Sequence, residues 1–314
     1  MSVTVTYPTN AEIDETVQAY VPQVDKFIGS EYMPIKPRNT NKVKWTEKDK
    51  MRGKTSVHKR GNDPHIDTRE GSVDREFTPI DFKETDVIGE KEILEKRQEG
   101  TWGEPIDLED TVAETIKDRA DKTMISVECT RWDTFRGRLQ INEKGVKVDE
   151  TFPVQTHEPL VEFDNFGSAK PLMVLDEIGD KFDGTGASND GAVHVLSRKT
   201  FRLILQNSNE ADLKKFAGSN FVDVMNGLVA FNKLLKDRNG SSVRLTDEGY
   251  IDDNGDFVRF VKYGEIFTFG KRPMGQTNGE WQATISLHRQ ENGKPVGGYF
   301  TILTVNDQPS DGAT

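Results

Sequence analysis

Cysteine occurs once in 314 residues, as Cys129, so neither a disulfide framework nor a thiolate metal cluster is available to hold the chain together. Long apolar runs are missing as well. No window approaches eighteen consecutive apolar residues, which leaves no candidate for a membrane-spanning helix. The opening MSVTVTYPTNAEIDE lacks the basic and apolar regions of a cleaved signal peptide, so a soluble protein made without export is expected. Hydrophobic residues are 34% of the chain against 30% charged, which is thin for a single compact globule of this length. Two domains, or one body with long insertions, are expected, with part of the chain outside any core. Positive charge is in deficit: a net charge of −11 argues against a protein that coats or compacts nucleic acid, though not against one that lies near it.

Catalytic and ligand-binding patterns are also lacking. The five histidines, His58, His65, His157, His194 and His288, are scattered without the spacing of a zinc site. Gly184 and Gly186 form GTG without a strand-to-helix fingerprint, GKP at Gly293 lacks the Ser or Thr of a phosphate loop, and no GxSxG occurs. Asp252, Asn254 and Asp256 imitate the start of a calcium loop, but Tyr263 stands where a bidentate Glu is required, and Asn254-Gly255 reads better as a hairpin turn. Cys129 sits in a helical apolar stripe with no partnered base. No cofactor, metal or catalytic residue is expected. Numerous carboxylates leave a hydrolase pair as the residual enzyme reading, but solvated faces and charge pairing between subunits explain them as well.

What the sequence does contain is a spine. From Asp107 to Leu139 the apolar residues Leu108, Val112, Ile116 and Ala120 recur at four-residue steps, and Met124, Val127, Cys129, Trp132, Phe135 and Leu139 carry the stripe onward. Asp107 is placed to cap this helix; Asp107, Glu109 and Asp110 put negative charge on its positive end; Arg131, Arg136 and Arg138 sit near the other end, and Gly137 and Gly145 mark where it frays. Such a helix would be roughly 45–50 Å long. Regular heptads are absent, so it is expected to lie across a sheet or a neighbouring subunit, with Val112, Ile116, Trp132 and Phe135 as packing residues.

Ahead of it, residues 1–35 read as an arm. SVTVTY alternates like a strand, AEIDETVQAYVPQVDKFIGS holds a helical segment broken at Pro22, and the two prolines of YMPIKP resist regular structure. The arm has few residues for a core of its own and is expected to lie on something else. Residues 36–99 are the least globular stretch. Between Lys36 and Asn62, ten Lys or Arg stand against two acids, and between Asp63 and Asp121 nineteen acids stand against eight bases. Val43 and Trp45 alternate with Lys42 and Lys44, and Val73, Arg75 and Phe77 alternate on a return leg, which suggests an extended ribbon. Opposite signs in the two halves suggest that the basic part of one copy, with Lys42, Lys44, Arg52 and Arg60, meets the acidic part of another. A disordered linker and a nucleic-acid-binding tip are the competing readings.

Beyond the spine the chain is rich in strands. LQINEKGVKVDETFPVQ is a strand pair turned near Lys144-Gly145, LMVLDEIGDKF a buried strand or helix, and DGTGASNDGA a loop. AVHVLSRKTFRLILQ runs from strand into helix, and FVDVMNGLVAFNKLLK is helical. The segment RLTDEGYIDDNGDFVRFVKYGEIFTFG holds strands broken at Asn254-Gly255 and Gly264, and ATISLHRQENGKPVGGYFTILTV is a strand pair turned at Asn292-Gly293. This order predicts an α+β fold, not a doubly wound one.

In the order of these elements, and in segments such as DREFTPIDFKETDVIG, DGAVHVLSRKTFRLIL and YIDDNGDFVRFVKYGEIFTF, the chain resembles the major capsid proteins of tailed bacteriophages with the HK97-type fold. It is most similar to the lambda-like capsid protein E family. The resemblance implies an N-terminal arm (1–35), an E-loop (36–99), a peripheral domain (100–163 and 276–314) with the spine helix 107–139, and an axial domain (164–275). It implies pentamers and hexamers in an icosahedral shell around packaged dsDNA, which the protein would meet only by nonspecific proximity. It also implies a separate scaffolding protein, a portal and a possible decoration protein as partners, no membrane, and assembly in the host cytoplasm. E-loop contacts would come from Lys42, Lys44, Trp45, Arg52, Arg60, Arg75 and Phe77. No Lys and Asn pair stands out for a covalent cross-link, so a noncovalent shell is expected. A cellular encapsulin-like compartment and a tail or decoration structural protein are the alternative functions.

Overall fold

The computed structural model describes residues 5–6, 9, 12–13, 15–16, 26–38, 40, 42–48, 72–77, 79, 82, 106–107, 109–143, 146–152, 154–183, 185–207, 213, 224–272, 281–283, 285–291 and 294–297. Strand β1 (Val5–Thr6) pairs in parallel with β5 (Ile106–Asp107). A helical turn, α1 (Gly29–Tyr32), leads into β2 (Ile35–Pro37), which pairs in parallel with β13 (Trp281–Ala283). YMPIKP is therefore regular, contrary to what its prolines suggest. Pro34 precedes the strand and Pro37 ends it, so neither missing N–H interrupts the ladder, and the Arg38 N–H continues it onto the Ala283 carbonyl at 2.8 Å. The ribbon is present: β3 (Val43–Lys48) and β4 (Ser72–Phe77) pair antiparallel from Val43 opposite Phe77 to Lys48 opposite Ser72.

The spine is α2 (Glu109–Phe135), 27 residues or about 40 Å, shorter than the sequence suggested. Asp107 does not extend it, because its backbone is paired in β5. At the other end Gly137 takes φ +90°, a left-handed conformation that an L side chain rarely adopts, and the chain turns into β6 (Arg138–Glu143) and back along β7 (Val146–Thr151). Leu139 is buried as expected, but on a strand. Val112, Ile116, Met124, Val127 and Trp132 are buried, while Ala120, Cys129 and Phe135 are half-buried. The hydroxyls of Thr115, Thr123, Ser126, Thr130 and Thr134 each donate to the carbonyl four residues back. These bonds let the helix carry several hydroxyls, one of them on buried Thr130, each with a backbone partner.

After α3 (Pro171–Asp180), where Pro171 supplies a preset φ at the first turn, β8 (Ser188–Leu196) begins inside the stretch expected to be a loop. Ser197 then caps α4 (Arg198–Gln206) by accepting from the Thr200 N–H at 3.2 Å. Helix α5 (Val224–Asn239) ends with Lys236 and Arg238 on its negative pole. Strand β9 (Ser242–Leu245), the hairpin β10 (Gly249–Ile251) and β11 (Phe257–Arg259), and β12 (Ile266–Lys271) follow. The breaks at Asn254-Gly255 and Gly264 fall where the sequence placed them. The sheet order is β12-β8-β9, antiparallel then parallel. β14 (Ile285–Glu291) and β15 (Lys294–Gly297) form the expected C-terminal pair.

This sheet is filled from both faces. Leu196 and Val243 pack with Leu172 and Leu175 of α3, Phe201 and Ile204 of α4, and Phe231 and Leu235 of α5. On the reverse face Val195 and Phe269 pack with Ile28, Trp132, Phe260 and Val261. The layering of helices, sheet and spine is an α+β arrangement, and it seats the last turns of α2 on residues 188–271.

Candidate functional site

The ribbon is the first element to weigh, because four of the sequence-derived contact residues, Lys44, Trp45, Arg75 and Phe77, lie on its strands and Lys42 directly precedes them. Its register sets Trp45 opposite Arg75 and Lys44 opposite Glu76. Lys42 forms an ion pair with Glu76, both largely exposed, and Arg75 is exposed too. Phe77 closes the register against Val43. Arg52 and Arg60 lie outside the described residues. An exposed pair of this kind contributes little stability, typically about 0–1 kcal/mol.

The second element joins the arm to the spine. Fully buried Glu128 accepts hydrogen bonds from Arg131 Nη1 at 3.0 Å, Trp132 Nε1 at 2.6 Å and the Gly29 N–H at 2.9 Å. Burial pushes the Glu128 carboxyl upward, against the opposing pull of Arg131, Trp132 and Gly29. A Cβ on Gly29 would stand 2.3 Å from Glu128 Oε1, so only glycine permits this approach. Arg131 is thus a buried partner and not a cation tuning the helix end. The available sequence clue was an acid followed at three and four residues by Arg and Trp on the apolar face. Ile28 donates its N–H to Glu248 at 2.9 Å, Arg244 pairs with Glu31, and Tyr32 stacks on Phe269 at 3.7 Å between centroids. The "something else" on which residues 26–33 lie is therefore this chain's own body.

The other sequence-derived packing residues divide. Trp132 meets Phe135 and Phe267 edge-on at 5.4 and 4.9 Å, and Phe135 meets Phe269 at 4.9 Å. Below them Arg136 forks onto Glu265 at 3.0 and 2.9 Å and donates to the Phe260 carbonyl at 2.5 Å. Val112 and Ile116 are buried nearer the N-terminal end of the helix.

Groups with chemical potential are used structurally. His194 is buried between Thr268 Oγ1 at 2.9 Å and Ser241 Oγ at 3.1 Å, and burial pushes its pKa down to about 4. Burial, reinforced by the Asp133 carboxylate, pushes the Cys129 thiol up to about 11, so the reactive thiolate is scarce at neutral pH. Asp252 Oδ1 accepts from the N–H groups of Asn254 and Asp256, each at 2.9 Å, and its carboxylate thereby holds a hairpin turn. Among the described residues no cluster of His, Cys, Asp and Glu is arranged to hold a metal, and no helix is long and apolar enough to cross a membrane.

Comparison with known families decides what this scaffold is for. Residues 9–283 match the phage major capsid protein E family, from the arm through the β13 strand. The chain belongs to that family. It is accordingly a structural capsid protein, a component of a bacteriophage virion. No curated protein matches the capsid chain. The match takes in the ribbon, the spine and the whole β12-β8-β9 layer, so the capsid role belongs to the described body and to the long charged stretch together.

Proposed function

We propose that this capsid chain has the HK97-type organisation and self-assembles into pentamers and hexamers of an icosahedral shell that encloses packaged phage dsDNA. Residues 1–35 serve as the N-terminal arm, 36–99 as the E-loop, 100–163 with 276–314 as the peripheral domain, and 164–275 as the axial domain. The observation that carries this reading is the β3–β4 ribbon: in a capsid-family chain, it is a charged two-stranded pairing whose described side chains, Val43, Arg75 and Glu76, are half-buried or exposed. A lone two-stranded ribbon is marginal in water, and Lys42, Lys44, Trp45, Arg52, Arg60, Arg75 and Phe77 give it groups to satisfy on a neighbour. Modest contacts repeated around rings of five and six add up through multivalency. Scaffolding, portal and decoration proteins are separate partners in this reading, DNA is contacted without specificity, and assembly takes place in the host cytoplasm.

The test is expression of the full chain with and without its neighbouring phage genes, followed by sedimentation and electron microscopy. Closed angular shells loaded with DNA are the expected result. Shells filled with a cargo enzyme would mark a cellular compartment, tubes or caps a tail or decoration role, and a persistent monomer with those genes present would contradict shell formation.

A further inference from the structure

One side of the β10–β11 hairpin carries large apolar side chains that are exposed among the described residues. Tyr250 packs toward the spine beside Phe260, whereas Ile251 and Phe257, opposite each other in register, are 72% and 51% exposed. Two groups of contacts, joined along the chain at Arg198-Lys199, lie on the surface beyond Phe257. The Arg259 guanidinium lies over the Phe257 ring at 5.2 Å, Asp247 sits 3.9 Å from Arg259 and 3.0 Å from Arg198, and the Lys199 ammonium lies over the Tyr263 ring at 4.2 Å. Arg202 and Lys262 are exposed alongside. Arg198 and Lys199 occupy the first turn of α4, at the positive pole of the helix, where cations are unfavourable for the helix itself. A basic, aromatic patch thus stands on a chain of net charge −11.

The same hairpin carries the complementary sign at its tip, in Asp252, exposed Asp253 and exposed Asp256, with the turn braced by the Asp252 carboxylate. Among the described residues no ion pair joins tip and patch within one copy. We infer that the acidic tip of one copy docks on the Lys199–Tyr263–Lys262 patch of the next, head to tail. Tip and patch are different surfaces of the same chain, so the contact is heterologous, the kind that closes into rings. Exposed Phe257 and Tyr263 with Arg259 match the aromatic and Arg enrichment of protein interfaces, and three carboxylates on the same hairpin would repel a nucleic-acid phosphate. The inference rests on the shell reading and adds which surfaces of residues 164–275 meet around a ring.

Charge reversal with compensation tests it. The full chain would be made with its neighbouring genes as wild type, as Asp253→Lys with Asp256→Lys, as Lys199→Glu with Lys262→Glu, and with all four changes. Circular dichroism and thermal melts establish folding, and sedimentation counts shells. Each pair alone should leave a folded subunit and cut sedimenting shells at least about tenfold, and the fourfold variant should recover them. Either pair assembling like wild type, or a fourfold variant as unassembled as its parents, overturns the docking. Wild type forming no shell would instead overturn the shell reading on which it stands.

Discussion

Strand β8 buries Val195 toward the spine and Leu196 toward α4 and α5, so each face of the central sheet is closed by this chain's own helices. The β3–β4 ribbon has the same alternating backbone and a longer register, yet the ribbon residues whose side chains are described are exposed or half-buried, with one ion pair between them at Lys42 and Glu76. Pairing of strands alone does not make a stable element. Burial on at least one face does, and in the proposed shell a neighbouring copy supplies it to the ribbon. Ribbon substitutions should therefore act on assembly, and sheet substitutions on folding.

The largest effect separating the two regions should come from reversing Lys42, Lys44, Arg52 and Arg60 together to Glu. Shells should be lost while the thermal melt of the subunit stays where it was; normal shells would break the comparison. Trp132→Ala should do the opposite. It removes a fully buried indole and its bond to Glu128, and denaturant unfolding should show a loss of about 3–5 kcal/mol. A change below about 0.5 kcal/mol would mean that the spine face is not packed. Phe135→Ala, at a half-buried ring, should cost less, about 2 kcal/mol.

A pH dependence sharpens the same contrast. His194 is held neutral inside the sheet, with a pKa of about 4 against about 6.5 in the unfolded chain. Its folded value is the lower one, so the unfolded chain binds the proton more readily. The associated stability is complete above about pH 6.5 and is lost as the pH falls toward 4, on the order of 3 kcal/mol in total. His194→Gln should flatten that part of the stability profile, as read by denaturant titrations at pH 7 and pH 4.5. At the small end, Arg138→Ala on the exposed β6–β7 pair breaks a fork to Asp149 at 2.8 Å and should leave the denaturant midpoint where it was.

Periodicity carried much of the architecture. The four-residue steps of Leu108, Val112, Ile116 and Ala120 located the spine, Asn254-Gly255 located a hairpin, and the alternation of Val43, Trp45, Val73 and Phe77 located the ribbon with both its strands. The elements missed are those set by tertiary partners. Ile35–Pro37 is a strand because β13 lies beside it, and Ser188–Gly191 extend β8 from what looked like loop composition. The spine ends at Phe135 because Gly137 reverses the chain, although Leu139 continues the apolar row. Arg131 read as a cation near the helix end and Glu128 was not singled out, because sequence registers polarity but not which face of the helix Gly29 will cover. The α4 patch was illegible for the same reason: Arg198 and Lys199 are about sixty residues from Arg259 and Tyr263, and meet them only through Asp247 and the Lys199–Tyr263 contact.

Hydrogen exchange, read at the backbone amides of residues 43–48 and 72–77 in the free subunit and in the assembled shell, bears most directly on the claim that the ribbon is stabilised by neighbours while the sheet is stabilised by its own chain. Ribbon amides should exchange quickly in the subunit and slow by about a hundredfold or more on assembly, while amides of 193–196 are protected in both states. Ribbon amides equally protected in the free subunit, or unchanged in the shell, would contradict the account.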